Sequence, residues 1–111
     1  MDCIFCKIAK KEIPSKIVYE DEKFVGFRDI KPIAPVHILI IPKEHIASVD
    51  NLGAEDKEMI GELILAAQKI TKEQGVNKTG YRLVLNAGPD AGQTVEHIHL
   101  HLLGGKKLSW E

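Results

Sequence analysis

Three histidines alternate with aliphatic residues in His97-Ile98-His99-Leu100-His101-Leu102-Leu103, within a chain of 111 residues that holds five histidines in all. Imidazole titrates near physiological pH and keeps a free lone pair at pH 7, so it serves as nucleophile, acid, base or metal ligand. The period of 2 predicts a half-buried strand. Residues two apart on a strand share a face. The three imidazoles are therefore expected on one side, with successive positions about 6.6 Å apart. Ile98, Leu100 and Leu102 take the other side. Strand faces usually carry Thr, Lys or Val, so a row of histidine points to function rather than to an ordinary polar surface.

Several chemistries compete for that row. Two strand histidines at i, i+2 can chelate one zinc. A zinc hydrolase would use all three as a cage and a bound water as nucleophile. Against it, His97 and His101 would lie about 13 Å apart along a strand. Nucleophilic attack by a neutral imidazole is the third chemistry. A fourth histidine, His37, sits in the apolar run Val36–Ile41, where a satisfied core histidine is an equally ordinary reading.

Cys3 and Cys6 are the only cysteines. A redox pair usually follows a strand, and none precedes this pair. Two small apolar residues, or two thiolate ligands of a tetrahedral zinc, are the other readings.

The elements that must position these groups are legible in outline. Residues near 2–9 suit a short helix, followed by Pro14. Ile17–Glu20 and Phe24–Phe27 read as strands around Asp21-Glu22-Lys23, a turn-length connection. Val36–Ile41 reads as a third strand, stopped by Pro42. Met59, Ile60, Leu63, Ile64, Ala67 and Ile70 recur at helical spacing within residues 54–74, and Gly75 is placed to end that helix. Tyr81–Asn86 and Thr94–Leu103 are the last strands. Strands with one main helix predict an antiparallel α+β domain over residues 1–111. The length suits one core. With 15 basic and 16 acidic residues, nothing predicts a nucleic-acid or membrane surface. Apolar runs are too short to span a bilayer, no signal segment opens the chain, and the cysteines do not form a secreted disulfide framework. A cytoplasmic protein is expected.

The run His97–Leu103 matches His-φ-His-φ-His-φ-φ, with φ apolar, and so resembles the histidine triad (HIT) family of nucleotidyl hydrolases and transferases. Cys3-Ile4-Phe5-Cys6-Lys7-Ile8 with Lys11–Pro14, Phe27–Pro32, Ala34–His37, Ile41–His45 and Gly92–Val95 resemble further segments of that family, in order. The resemblance covers essentially the whole chain and is nearest the Hint branch, the purine nucleoside phosphoramidases. It implies a five-stranded antiparallel sheet with one long and one short N-terminal helix, and a homodimer joined into a continuous sheet. It implies a purine nucleotide substrate of AMP or GMP type, cleaved at the α-phosphorus through a nucleotidyl-histidine.

Site residues follow from the same resemblance. His99 matches the nucleophile, its Nδ1 held by the backbone carbonyl of His97. His101 matches the residue that hydrogen-bonds phosphate and leaving-group atoms, and His37 a supporting histidine. Asp29 matches the acceptor of the ribose hydroxyls. Ile4, Phe5, Ile8, Phe27 and Ile30 match an apolar slot for the base, though by periodicity alone they read as core. Asn86, Gly92, Gln93, Thr94 and Val95 match the phosphate-binding residues. Trp110 matches a tail residue that acts on leaving-group choice across the dimer. Cys3, Cys6, His45 and His97 match a structural zinc site; no catalytic metal is implied. Gly88–Thr94 instead reads like the Fhit branch, which cleaves dinucleoside polyphosphates. That activity, and a nucleotide-binding regulatory module, remain as alternatives.

Overall fold

The computed structural model describes residues 3–110. One five-stranded sheet organises them, in the order β1-β2-β3-β5-β4 with every neighbouring pair antiparallel. The strands are β1 (Ile17–Glu20), β2 (Phe24–Arg28), β3 (Val36–Pro42), β4 (Tyr81–Leu85) and β5 (Leu100–Gly104). The α+β class, the long helix and the short one are as expected from the sequence. No helix among the described residues is long and apolar enough to cross a membrane.

Local chemistry closes the elements. Asp21 Oδ1 accepts from the amides of Lys23 and Phe24 at 2.7 and 2.8 Å, fixing the turn between β1 and β2. Helix α1 (Ile4–Ala9) begins at Cys3, whose sulfur accepts from the Cys6 amide. Helix α2 (Lys57–Gln74) follows a 3-10 turn at Ala54–Asp56, so its regular part starts three residues later than its periodicity suggested. Gly75 ends it in the left-handed region, at φ 77°, where a side chain is disfavoured.

The two faces of the sheet separate packing from chemistry. Ile38, Ile40, Leu100 and Leu102 meet Leu63, Ala66, Ala67 and Ile70 of α2. On the opposite face Val25, Phe27, Leu39 and Ile41 pack on Phe5 and Ile8 of α1. His37 alternates with Ile38 in β3, and His101 lies directly opposite Leu39. Both histidines therefore belong to the α1 face.

One strand is shorter than expected. Regular pairing begins at Leu100, not at Thr94. The Ile98 amide goes to the Ile46 carbonyl at 2.7 Å, and the His97 ring is tied to the Pro42 carbonyl. These bonds bend the chain and hold it outside the β3–β5 ladder. The three imidazoles consequently do not form one even row.

Gly104 packs closely against Val76, just past the end of α2. A Cβ there would lie 2.9 Å from Val76 Cγ1 and 3.0 Å from its Cβ. Valine is stiff at χ1 and has little room to yield. Gly104→Ala should lower stability by about 1–3 kcal/mol, read as a lower denaturant midpoint at unchanged slope.

Candidate active site and metal cluster

Two histidines of the triad face each other and the third turns away. The ring centroids of His99 and His101 are 4.9 Å apart, and His37 stands 5.3 Å from His101. The His97 ring instead meets Cys3, Cys6 and His45. Phe5 packs edge-on against both His97 and His99, at 6.0 and 5.0 Å, and so separates the two groups with an apolar ring.

Backbone groups fix the tautomers. A carbonyl only accepts, so the 2.8 Å bond from His99 Nδ1 to the His97 carbonyl places the proton on Nδ1. Nε2 of neutral His99 then holds the lone pair. At His37 the polarity is reversed. The Ile33 amide donates to Nδ1 at 3.2 Å, so the His37 proton sits on Nε2. That N–H donates to His101 Nδ1 at 3.0 Å. His101 is left with its own proton on Nε2. An unprotonated nitrogen on His99 thus stands beside an N–H on His101.

Burial disfavours the charged forms of His101 and His37. The His101 ring is pushed down to about 4, first by burial, then by His99 and His37, with Asp29 opposing. Burial also lowers His37, against the pull of Asp29. Asp29 Oδ2 is 3.4 Å from His37 Nε2, while Oδ1 accepts from the Lys31 amide at 2.8 Å.

Asp29 and His37, 3.4 Å apart, line different cavities. Asp29, Arg28, Ile30 and Pro14 help line one of about 620 Å³. His37, His101, Asn86, Val84 and Trp110 help line another of about 550 Å³. A third, of about 710 Å³, is lined by Ile4, Gln93, Thr94 and Val95, among others.

The expected base slot is divided between core and surface. Phe5, Ile8 and Phe27 are buried with Val25, Leu39 and Ile41, because the α1 face needs them as core. Ile30 is 92% exposed and Ile4 46%. Gln93 spends its side chain internally. Its Oε1 accepts from the Gly88 amide, and its Nε2 donates to the carbonyls of Ala47 and Val95. It shapes the loop, and Gly92 turns it at φ 87°.

The second group has the makings of a metal centre. Ligand atoms of Cys3, Cys6, His45 and His97 all lie within 4.8 Å of one another. His97 Nε2 donates to the Pro42 carbonyl at 2.8 Å, so Nδ1 is the bare nitrogen, and it points at both sulfurs and at His45. Burial pushes the His97 value down and that of the Cys6 thiol up.

Sequence reasoning missed Arg82, the Ile33 amide and the Pro42 carbonyl. Arg82 had a signal: it shares strand parity with Val84, which lies opposite His101. The two backbone groups had none, since a side-chain pattern does not show where a carbonyl points.

Comparison with known proteins identifies the family. The HIT domain model matches residues 10–108. The purine nucleoside phosphoramidase of Escherichia coli is 49% identical over 107 residues, covering 96% of this chain and 90% of that protein. A HIT family hydrolase from Legionella pneumophila superposes with a TM-score of 0.96 at 48% identity, covering 98% of this chain and 97% of the other. A histidine triad protein from Clostridium difficile gives 0.97 at 46%, covering 100% and 96%. The chain belongs to the HIT family and is a hydrolase.

The depressed histidines predict the acid side of stability. An unfolded histidine takes its proton near about 6.5, whereas folded His101 resists until about 4. Between those values the unfolded chain binds more protons, so stability falls as pH falls. Between pH 7 and 5 the wild type should lose on the order of 1–2 kcal/mol to His101. His101→Gln should show a shallower loss. Identical urea-midpoint profiles for the two proteins would contradict this.

Proposed function

We propose that this hydrolase cleaves purine nucleoside 5′-phosphoramidates at the α-phosphorus through a nucleotidyl-His99 intermediate. The observation that carries the reading is the hydrogen bond from His99 Nδ1 to the His97 carbonyl, which leaves Nε2 as the attacking atom. The phosphoramidase activity of the Escherichia coli relative supports it.

In the proposed step His99 Nε2 bonds to phosphorus as the P–N bond breaks, and that electron pair goes to the leaving nitrogen. The nitrogen needs a proton, and His101 Nε2–H is the donor on the same face. A phosphoryl anion beside His101 raises the proton affinity of the His37–His101 pair from its low value in the free protein. Water then attacks the phosphorus of the intermediate, releasing the nucleoside monophosphate and free His99. His37 holds His101 through the 3.0 Å bond. Asp29 keeps lone pairs for the ribose hydroxyls. Asn86, Thr94 and Val95 are the polar contacts proposed for phosphate, with Gly92 as the hinge of their loop. Ile4 and Ile30 are the exposed apolar residues available to the base.

The Cys3, Cys6, His45 and His97 group fits structural zinc. Zinc bonds of about 2.0 Å to nitrogen and 2.3 Å to sulfur give tetrahedral N···N edges of about 3.3 Å and N···S edges of about 3.6 Å. The ligand atoms lie at 3.2 Å for the two nitrogens and at 3.3 to 3.5 Å for nitrogen to sulfur. The Pro42 carbonyl supplies the outer hydrogen bond that orients such a histidine. Bound zinc would tie α1 to the end of β3 and to the triad segment. The proposed homodimer would pair β4, which ends the sheet with Tyr81 41% exposed. A cytoplasmic location completes this reading.

Rapid quench with adenosine 5′-phosphoramidate, followed by mass spectrometry, should place an adenylyl adduct on His99. His99→Ala should lower kcat/KM at least about a thousandfold while keeping nucleotide binding. An adduct on His97 or His101, or near-wild-type rates in the variant, would refute the mechanism. Separately, elemental analysis should find one zinc per chain. Cys6→Ala should lose it and melt several degrees lower.

A further inference from the structure

The cavity above His37 and His101 has a wall that the hydrolytic reading does not use. Arg82, Lys106 and Lys107 contribute to it, together with Leu108, Ser109 and Trp110. Among the described residues no carboxylate lines it. Asp29, the proposed ribose acceptor, lines a different cavity and lies 3.4 Å from His37 of this one.

One side chain holds the wall in place. Arg82 Nη1 donates to the Ser109 carbonyl at 2.8 Å, and its guanidinium lies 5.3 Å from the Trp110 ring centre. Trp110 is 89% exposed, so apolar burial does not hold it. A charge-assisted hydrogen bond and a cation–π contact do. Gly105, at φ 90°, starts the tail after β5, with Pro35 2.9 Å from the position a Cβ would take. Lys106 and Lys107 follow directly.

We infer that this cavity is the leaving-group subsite, that it selects leaving groups carrying a negative charge, and that Arg82 positions its wall. The inference rests on the hydrolytic reading and adds the sign of the charge. The bond-making step is unchanged. The anion is a group borne by the departing amine, such as a carboxylate, held by the lysine ammonium groups while the amine nitrogen takes its proton. Phosphate on a departing nucleotide has the same chemistry.

The test compares adenosine 5′-phosphoramidates of β-alanine, β-alaninamide and 1,3-diaminopropane, which differ mainly in terminal charge. At low salt the β-alanine compound should exceed the amide in kcat/KM by about fivefold, the scale of a favourable screened ion pair. The diamine should fall below the amide. The ratio should shrink toward one in 0.5 M salt and in Lys106→Gln/Lys107→Gln. Diadenosine triphosphate, run alongside, shows whether phosphate-borne charge is taken in preference to carboxylate; a salt-sensitive and lysine-sensitive preference for either supports the charge selection. Arg82→Gln should lower the ratio mainly through KM and lower the fluorescence anisotropy of the single tryptophan, with Arg82→Lys intermediate. A flat or reversed charge series would overturn the subsite. An Arg82→Gln protein that is merely less stable, with ratio and anisotropy unchanged, would overturn the positioning role. Failure to cleave even the unsubstituted phosphoramidate would instead remove the underlying hydrolytic reading.

Discussion

The hydrogen bond from His99 Nδ1 to the carbonyl of His97 is the contact on which the site depends. It orients the ring and assigns its proton, and both follow from one backbone oxygen. That oxygen belongs to a residue whose side chain is committed elsewhere. His97 is fully buried among Cys3, Cys6 and His45 and is tied to the Pro42 carbonyl. The position of the carbonyl is therefore set by the N-terminal helix and by the end of β3. This is why a metal removed from the reacting phosphate would still matter to it. Loosening the cluster frees His97, and freeing His97 releases the acceptor that keeps His99 in one tautomer.

The same economy of backbone contacts explains how buried histidines are tolerated. A polar group taken from water is costly unless it is paired. Among the described residues no fully buried side-chain nitrogen or oxygen lacks a hydrogen-bond partner. His37 is satisfied by the Ile33 amide and by His101, and His101 by His37. Each ring meets its neighbour in the neutral form. Burial first, and the neighbouring His99 and His37 rings after it, push His101 down. The fold supplies apolar walls through Phe5 on one side and Leu39 beneath, and these walls make neutrality the stable condition.

What the sequence disclosed and what it withheld follow from the range of the interactions involved. The short, turn-bounded apolar runs of β1, β2 and β3 and the helical spacing of Met59, Leu63, Ala67 and Ile70 are local signals, and their elements stand within a few residues of where they were expected. The strand expected from Thr94 fails at its start because the alternation of His97–Leu103 continues past the point where pairing ends. The bond of the Ile98 amide to Ile46, a contact across 52 positions, is invisible to a local pattern. The base slot is ambiguous for a related reason. Phe5, Ile8 and Phe27 are apolar in either role, and only the packing of α1 on the sheet assigns them to the core. The four-residue Cys and His group was legible as a set through family resemblance, whereas its link to His99 through one carbonyl required coordinates. Arg82 lay in plain view on a strand of known parity, but its partner is a tail with no periodicity of its own.

Charge gives the site its order of events in the proposed reaction. Before substrate arrives His101 holds its proton on Nε2 as a neutral ring, and a neutral imidazole is a poor acid. A phosphoryl anion placed beside it favours an added positive charge on the His37–His101 pair, the proton entering at His37 Nδ1 in place of the Ile33 bond so that the 3.0 Å contact keeps a single donor. Binding and proton uptake then promote each other by the same factor, as linkage requires. The acid is armed by the group it must act on, and it stays unarmed when the cavity holds only water. His99 Nε2 instead meets phosphorus, where its lone pair is engaged in the attack. Two histidines of one strand thus take opposite roles because His97 fixes one tautomer and His37 fixes the other.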